Sequence, residues 1–334
     1  AGLQPSCFVD ESSAYNICLD LKGPSGGFEP WMRDFGQAVA RWESVILGDL
    51  PSIESALLPT NITCTGYPAI IDDLYICGVN DDIDGPLGVL GSAGPQYIRI
   101  DSRLTIIGEM TFDTADIDLL LGDGTFLGVV KHEMGHVLGL GVLWEVAGLY
   151  DGFSGQYKNG TIAESEWRNI GCTGPLPVEL DGGPGTAGAH WDEACLEHEI
   201  MTGFRTGDLP LSRITIGSLS DLGYTVNFTA ADPFGISDLG VCGFFCPAAA
   251  GNRRLRKPDH FVVSKKDASR RKLSNKGMAI AREYAKVKLK KVQSTESMVL
   301  PDGVEYVGDK LISVFYEEDG NIHIVPFSDL DVRD

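Results

Sequence analysis

The stretch Gly128-Val-Val-Lys-His-Glu-Met-Gly-His-Val-Leu-Gly-Leu-Gly141 determines how the rest of this chain is interpreted. On a helix, His132 and His136 lie one turn apart on the same face, close enough to bind one metal ion. Glu133 projects beside that pair, where its carboxylate can take a proton from a water molecule at the metal. Apolar residues surround these three, and glycines follow at 139 and 141. The stretch therefore predicts a buried, metal-binding helix that ends in a sharp turn.

The competing interpretation is a core helix that carries two structural histidines. The chain has only 6 histidines, so two of them at this spacing, with a glutamate directly after the first, form a specific signal. We therefore favour a catalytic zinc ion as the cofactor.

Length and charge restrict the class of protein. The chain has 334 residues and a formal net charge of −20, which argues against nucleic acid as the main partner. No apolar run approaches the ~18–20 residues of a membrane span. The charge is uneven, because residues 1–250 carry a net −24 and residues 251–334 a net +4.

The cysteines and the glycosylation motifs predict a secreted, disulfide-bonded glycoprotein. The 8 cysteines are dispersed and form no Cys-x-x-Cys pair, and sequons begin at Asn61, Asn159 and Asn227. The alternative is a cytosolic protein with free thiols and chance sequons. Pairing cannot be deduced from eight cysteines, so neighbours such as Cys64–Cys77 or Cys172–Cys195 are only guesses.

Periodicity predicts the regular elements of the first half. Strands are expected at 15–21 and 70–79, and an amphipathic helix at 30–47. A small-residue strand at 88–94 is expected to end at Pro95, and it is either a strand that pairs with a peptide substrate or an ordinary edge strand. Asp113 is expected to cap one helix, and Thr125 or Asp123 the central helix. Residues 141–190 are rich in glycine, proline, asparagine and aspartate, which predicts a long, irregular excursion.

A calcium ion is a weaker possibility at residues 80–85. Their acidic spacing resembles a calcium loop, but Gly91 stands where the closing glutamate is needed. A solvated turn is the preferred interpretation.

A catalytic zinc site needs a third protein ligand besides two histidines. The remaining histidines are at 190, 198, 260 and 323, and position 142, where a compact motif would place one, is valine. A glutamate on a second helix is another option, with Glu164 and Glu166 as candidates. Spacing alone leaves these choices open.

A second pair of motifs carries a family resemblance. Gly188-Ala-His190-Trp191 precedes Glu199-Ile-Met201-Thr-Gly203, and together with the first stretch this pattern resembles the leishmanolysin family of metzincin zinc endopeptidases. The similarity extends over about residues 15–235. It implies that His132, His136 and His190 bind zinc, that Glu133 is the general base and that Met201 is the Met-turn residue, with His198 as the rival third ligand.

The resemblance implies an α+β fold of the metzincin type. A mixed twisted sheet and helices would form the N-terminal half, and an irregular, disulfide-stapled region the C-terminal half. The expected divisions are a subdomain 1–141 that ends in the zinc helix, a subdomain 142–250 with the third ligand and Met-turn, a basic linker 251–298 and a small β tail 299–334.

The implied function is that of a secreted zinc endopeptidase, which cleaves protein or peptide substrates with a zinc-activated water. Tyr224 is a weak candidate for an oxyanion donor. The alternative function is a structural or adhesive extracellular glycoprotein built on the same fold.

The basic segment 253–291 has three open interpretations: a solvated linker, a contact with an anionic glycan or membrane surface, or a processing site at Arg253-Arg-Leu-Arg256. The tail beyond it predicts short strands with a hairpin turn at 318–321. About thirty residues cannot bury a core of their own, so this tail should dock on the enzyme, pair with another chain or belong to something larger.

Overall fold

The computed structural model describes residues 6–7, 14–22, 29–55, 68–82, 91–152, 155–180, 187–203, 209–242, 246, 304–306, 314–318 and 321–325. The helices are α1 (Glu29–Val45), α2 (Thr114–Gly122), α3 (Phe126–Val137), α4 (Ile162–Asn169), α5 (Glu193–Leu196) and α6 (Arg213–Leu222). The strands are β1 (Ser6–Cys7), β2 (Ile17–Lys22), β3 (Ile53–Glu54), β4 (Ile70–Ile71), β5 (Leu74–Asp81), β6 (Gly91–Arg99), β7 (Thr105–Asp113), β8 (Tyr150–Asp151), β9 (Gln156–Tyr157), β10 (Val304–Tyr306), β11 (Val314–Glu318) and β12 (Asn321–Val325).

A mixed six-stranded sheet organises the first half of the chain, in the order β1-β2-β5-β7-β6-β10. Strands β2, β5 and β7 are parallel, while β1, β6 and β10 run antiparallel to their neighbours. Helix α3 packs against β6 and β7, and α1 packs against α3. The fold is therefore α+β with a mixed sheet, as the sequence predicts.

Strand β6 corrects one sequence prediction. It does not end at Pro95 but continues to Arg99, with shifts in register between Pro95 and Ile98. A proline has no N–H to donate, and an irregularity of the bulge type accommodates it within a strand. The expected close approach of another backbone does occur, since a Cβ at Gly91 would lie 2.7 Å from the carbonyl oxygen of Thr111.

Helix α3 is held on the sheet by close packing and a hydrogen bond from β7, and a second hydrogen bond ties it to α1. Gly108 of β7 faces the helix, and a Cβ there would lie 2.2 Å from Val137. The Thr105 hydroxyl donates to the carbonyl of Val137, and the indole N–H of Trp42 donates to that of Lys131. These contacts fix the height and the rotation of the helix that carries the two motif histidines.

Helix caps follow the sequence closely. Asp113 caps α2 by accepting from the backbone N–H of Ala115. Thr125 occupies the N-cap position of α3, but its side chain makes no capping hydrogen bond to the helix, and Asp123 accepts from the Thr125 N–H instead.

The second half contains more helix than predicted. Helix α4 lies inside the stretch expected to be irregular, and its start is signalled by Thr161 and Glu164, because the Thr161 hydroxyl accepts from the Glu164 N–H at 3.4 Å. Helix α6 packs against α4. It begins after Ser212, which accepts from the N–H of Thr215, and ends at Gly223, whose φ is 116°.

Two disulfides lie in this second half, Cys172–Cys246 and Cys195–Cys242. The guessed pair Cys172–Cys195 is wrong, because Cys172 bonds to Cys246 and Cys195 to Cys242. Cys18 and Cys77 are also disulfide-bonded. Cys64 lies outside the described residues.

The tail strands extend the architecture. Strand β10 pairs with β6 at the edge of the sheet, and β11 and β12 form the predicted hairpin. The basic segment 253–291 lies outside the described residues. Within the ranges given above, no helix has the length and apolar character needed to cross a membrane.

Candidate metal centre

The end of α3 sets the position of His136. Gly139 adopts a φ of +105°, its N–H donates to the carbonyl of His136, and the N–H of Leu140 donates to that of Gly135. This pair of bonds is the Schellman motif, which needs a left-handed residue directly after the helix. It places the carbonyl of Leu140 2.9 Å from His136 Nδ1.

His132 is oriented by a different part of the chain. Its Nδ1 lies 2.6 Å from the carbonyl oxygen of Ile200, 68 residues further on. The imidazole of His132 is thus tied to the turn that precedes Met201.

Three imidazoles converge on one point. His136 Nε2 lies 3.0 Å from the Nε2 atoms of both His132 and His190, and the remaining Nε2 pair is 3.2 Å apart. All three side chains are buried, and together they form a group able to hold a metal ion.

The tautomers of two imidazoles are fixed by their backbone partners. A carbonyl oxygen can only accept, so the Nδ1 atoms of His132 and His136 must each carry the hydrogen. Each Nε2 atom then carries a lone pair, and the two Nε2 atoms face each other at 3.0 Å. That arrangement is repulsive unless a cation lies between them.

The geometry of this donor set fits zinc. Tetrahedral zinc with Zn–N bonds of about 2.0–2.1 Å holds its nitrogen ligands about 3.3 Å apart, close to the separations found here. Burial lowers the pKa of His132 to about 4. Burial, with a smaller contribution from His132, lowers that of His136 to about 3. Both imidazoles are therefore neutral at physiological pH, the form that binds metals.

Glu133 lies beside these histidines with an unusual environment. Its side chain is 2% exposed, and within the described part of the chain its Oε2 atom has no hydrogen-bond partner. Burial raises its pKa to about 8, because desolvation penalises the carboxylate. A divalent cation held by the imidazoles would lower that pKa again by attraction.

His190 lies on a segment that is distant from α3 in the sequence but packs against the chain after it. A Cβ at Gly141, whose φ is +75°, would lie 1.9 Å from the carbonyl oxygen of Ala189. The N–H of Glu179 donates to the carbonyl of His190, and the N–H of Trp191 donates to that of Met201. The chain after α3 and the turn at Met201 therefore both pack against the His190 segment.

Met201 is fully buried and lies directly against α3. A Cβ at Gly135 would approach its sulfur to 2.6 Å, so the glycine between Glu133 and His136 makes room for the thioether. Met201 contacts the helix backbone between the two motif histidines and acts as a packing residue.

The alternative ligands lie elsewhere. His198 packs against the ring of Phe234, with centroids 6.4 Å apart. Glu164 pairs with Arg168, and Glu166 with Arg213. His260 lies outside the described residues, and the side chain of His323 is not among the described atoms. Among the described histidines, the third in the cluster is His190 and not His198.

Tyr224 does not have the role suggested for it. Its ring is buried, and its hydroxyl donates to the carbonyl of Leu138 at 3.1 Å. That proton is committed to the end of α3.

The sequon residues differ in their surroundings. Asn159 is exposed, whereas the Asn227 amide donates to the carbonyl of Ser44 and its oxygen accepts from Thr229. Asn61 and the possible calcium residues 83–85 lie outside the described residues, so both expectations stay predictions.

Sequence reasoning missed the groups that orient the imidazoles. The carbonyl of Leu140 could have been found from Gly139, since a Schellman end fixes its position. The carbonyl of Ile200 could not, because no local pattern links residues 132 and 200.

Comparison with known proteins bears on the same residues. The family model for leishmanolysin, peptidase family M8, matches residues 74–270, which is more than half of the chain and includes His132, Glu133, His136, His190 and Met201. The chain belongs to the leishmanolysin family of metallopeptidases.

Curated relatives match shorter segments. A leishmanolysin-like peptidase of Drosophila melanogaster is 44% identical over 57 residues, 17% of this chain and 8% of that protein. One from Caenorhabditis briggsae is 36% identical over 74 residues, 21% of this chain and 11% of that protein. The matched segments thus span only about a tenth of the relatives' own length.

Proposed function

We propose that this chain is a zinc-dependent endopeptidase in which His132, His136 and His190 hold the ion and Glu133 is the general base. The observation that carries the proposal is the convergence of three buried Nε2 atoms, two of which have their lone pairs fixed toward each other. Membership of the leishmanolysin family supports it.

A zinc ion bound there would act as a Lewis acid that polarises a peptide carbonyl and lowers the pKa of water. The chain's own contribution begins with Glu133. Its carboxylate accepts the proton of the attacking water and later releases it to the departing amine nitrogen. Burial raises the pKa of the Glu133 carboxyl and a bound cation would lower it. These opposing effects suit a group that must both take and return a proton.

The imidazoles have a positioning task. The Ile200 and Leu140 carbonyls hold the rings of His132 and His136 in the tautomer that presents Nε2. Partners of this kind fix the orientation of metal ligands and increase their basicity. Met201 supports the helix by packing against Gly135.

The protein is proposed to act outside the cytosol. The disulfides Cys172–Cys246 and Cys195–Cys242 are typical of an oxidising compartment, and the exposed Asn159 is the best placed glycosylation site among the described sequons. Protein or peptide substrates follow from the peptidase family. The alternative, a structural or adhesive glycoprotein, is not favoured because the histidines and Glu133 are all retained.

The test is hydrolysis of an unfolded protein and of a peptide with both ends blocked. We expect cleavage of both, loss with a zinc chelator and recovery with added zinc. Cleavage of the blocked peptide identifies an endopeptidase, because an exopeptidase needs a free terminus. Hydrolysis that persists in excess chelator would contradict the proposal.

Substitution of Glu133 by alanine tests the general base. Because the carboxylate moves the proton without holding the ion, Glu133→Ala should retain zinc and lower kcat by about 10²–10⁴-fold. Zinc content by mass spectrometry and kcat on the blocked peptide are the two measurements. Activity near that of the parent chain would remove the mechanism.

A further inference from the structure

A buried carboxylate outside the metal-binding group connects to both halves of the site. Glu199 is fully buried. Its Oε2 accepts from the N–H of Met201 at 2.7 Å, and its Oε1 accepts from the N–H of Ser212 at 3.1 Å and from the hydroxyls of Ser212 and Thr215 at 2.7 and 2.6 Å. These four bonds join the turn before Met201 to the start of α6.

The directions of the two hydroxyl bonds bear on the charge state of Glu199. The Ser212 hydroxyl oxygen accepts from the N–H of Thr215, and the Thr215 hydroxyl oxygen accepts from the indole N–H of Trp191. Both hydroxyls donate their own hydrogen to Glu199 Oε1. Burial raises the pKa of the Glu199 carboxyl, whereas these four donors lower it and favour the ionised form.

The Glu199 carboxylate also fixes the peptide unit that contains the Ile200 carbonyl. Glu199 precedes Ile200 in the chain, and its Oε2 accepts from the N–H of Met201. Ile200 is therefore held between the backbone of Glu199 and the hydrogen bond made by the Glu199 side chain. The carbonyl of Ile200 in turn accepts from His132 Nδ1 at 2.6 Å. Rotation of this clamp would move the acceptor that sets the tautomer of His132.

The same carboxylate is connected through Thr215 to Trp191, the neighbour of His190. Thr215 links Glu199 to the indole of Trp191, which directly follows His190 in the chain. The backbone N–H of Trp191 also donates to the carbonyl of Met201. One buried anion is thus connected to the partner of His132 and to the neighbour of His190.

We infer that Glu199 is a positioning residue for the zinc site: its carboxylate clamps the Ile200 carbonyl against His132 and, through Thr215 and Trp191, aligns His190. The inference rests on the proposed function. It predicts that Glu199 governs how tightly and in what geometry the three imidazoles bind a metal.

The direct test is Glu199→Gln in the full chain. The amide oxygen can keep the three donors on the α6 side, but the NH₂ then faces the N–H of Met201, and two donors repel. We expect zinc affinity, measured by competition with a chromophoric chelator, to fall by about 10–100-fold. The visible absorption spectrum of the Co²⁺-substituted protein should also change, since it reports the geometry of the ligands.

The matched control is Asp221→Asn. Asp221 also accepts three hydrogen bonds, from the N–H groups of Ile162 and Ala163 and from the Tyr157 hydroxyl, and it joins α6 to the start of α4. This variant should lower the melting temperature and leave zinc affinity and the Co²⁺ spectrum unchanged. Should Glu199→Gln fail to fold, Thr215→Val removes one donor to Glu199 and the link to Trp191 but keeps the bond to the Met201 N–H, and it should show a smaller effect in the same direction.

The outcomes separate two failures. A parent chain that binds zinc, with variants that lose only thermal stability, would show that Glu199 merely staples α6 to the turn, and the inference would fall by itself. A parent chain that binds no zinc would overturn the proposed function and this inference with it.

Discussion

The two halves of the proposed zinc site are built in different ways. His132 and His136 stand on α3, where helix periodicity and a Schellman end place them within one turn. His190 comes from a segment without regular structure, held by a backbone contact with Gly141 and by pairing with the turn before Met201. The helix sets the positions of His132 and His136 locally, although the His132 ring also binds the distant Ile200 carbonyl, whereas the position of His190 depends on long-range contacts. The predictions below test that difference.

The largest effect is expected from removing His190. Because two imidazoles alone form an incomplete site, His190→Ala should lose bound zinc and hydrolysis to below detection, although α3 is untouched. His198→Ala is the matched control, since that ring packs on Phe234 and should leave both properties intact. Zinc content by mass spectrometry checks both variants; the reverse pattern would make His198 the ligand.

A smaller loss of zinc affinity is expected from a substitution at Gly141. Alanine there meets the carbonyl oxygen of Ala189 at 1.9 Å, so the His190 segment must shift and zinc affinity should fall at least 10-fold. Gly148→Ala is the control, because its φ of +66° carries the same backbone cost of about 1–2 kcal/mol and nothing lies within 4 Å. Equal zinc affinities in the two variants would contradict a tie between Gly141 and His190.

The disulfides should matter for stability more than for chemistry. Cys246→Ser opens a bridge that spans 74 residues, and loss of such a native bridge costs about 2–5 kcal/mol. We expect a lower unfolding midpoint in denaturant, with zinc affinity at low temperature within a few-fold of the parent. An unchanged midpoint would show that helices α4 and α6 hold this half without the bridge.

The smallest effect concerns the surface. If the chain is secreted, Asn159→Gln should remove one glycan from protein made in a eukaryotic secretory system, seen as a mass decrease. Asn227→Gln should produce little or no decrease, because the Asn227 amide already bonds to Ser44. Activity should not change in either variant.

Sequence alone located most of the regular half. The spacing of 132, 133 and 136, the cap at Asp113 and the turn glycine at 139 are local signals, and each predicted feature is found. The predicted end of β6 at Pro95 was wrong. The strand accommodates the missing N–H of proline with a shift in register against β7, which the sequence of β6 alone does not show. The site's third histidine came from a family resemblance rather than from spacing.

The irregular half was predicted less well for a physical reason. Helix α4 carried a usable signal in Thr161 and Glu164, but glycine-rich flanks hid it. Disulfide partners and the Ile200 carbonyl depend on contacts across tens of residues, and such contacts leave no periodic trace. Glu199 reads as one acidic residue among many until its four donors are seen.

Anomalous X-ray diffraction at the zinc absorption edge, on crystals of the zinc-loaded chain, tests the central claim most directly. The account predicts one peak about 2.0–2.1 Å from the Nε2 atoms of His132, His136 and His190. A peak at a position that does not involve His190, or no peak at these three rings, would contradict it.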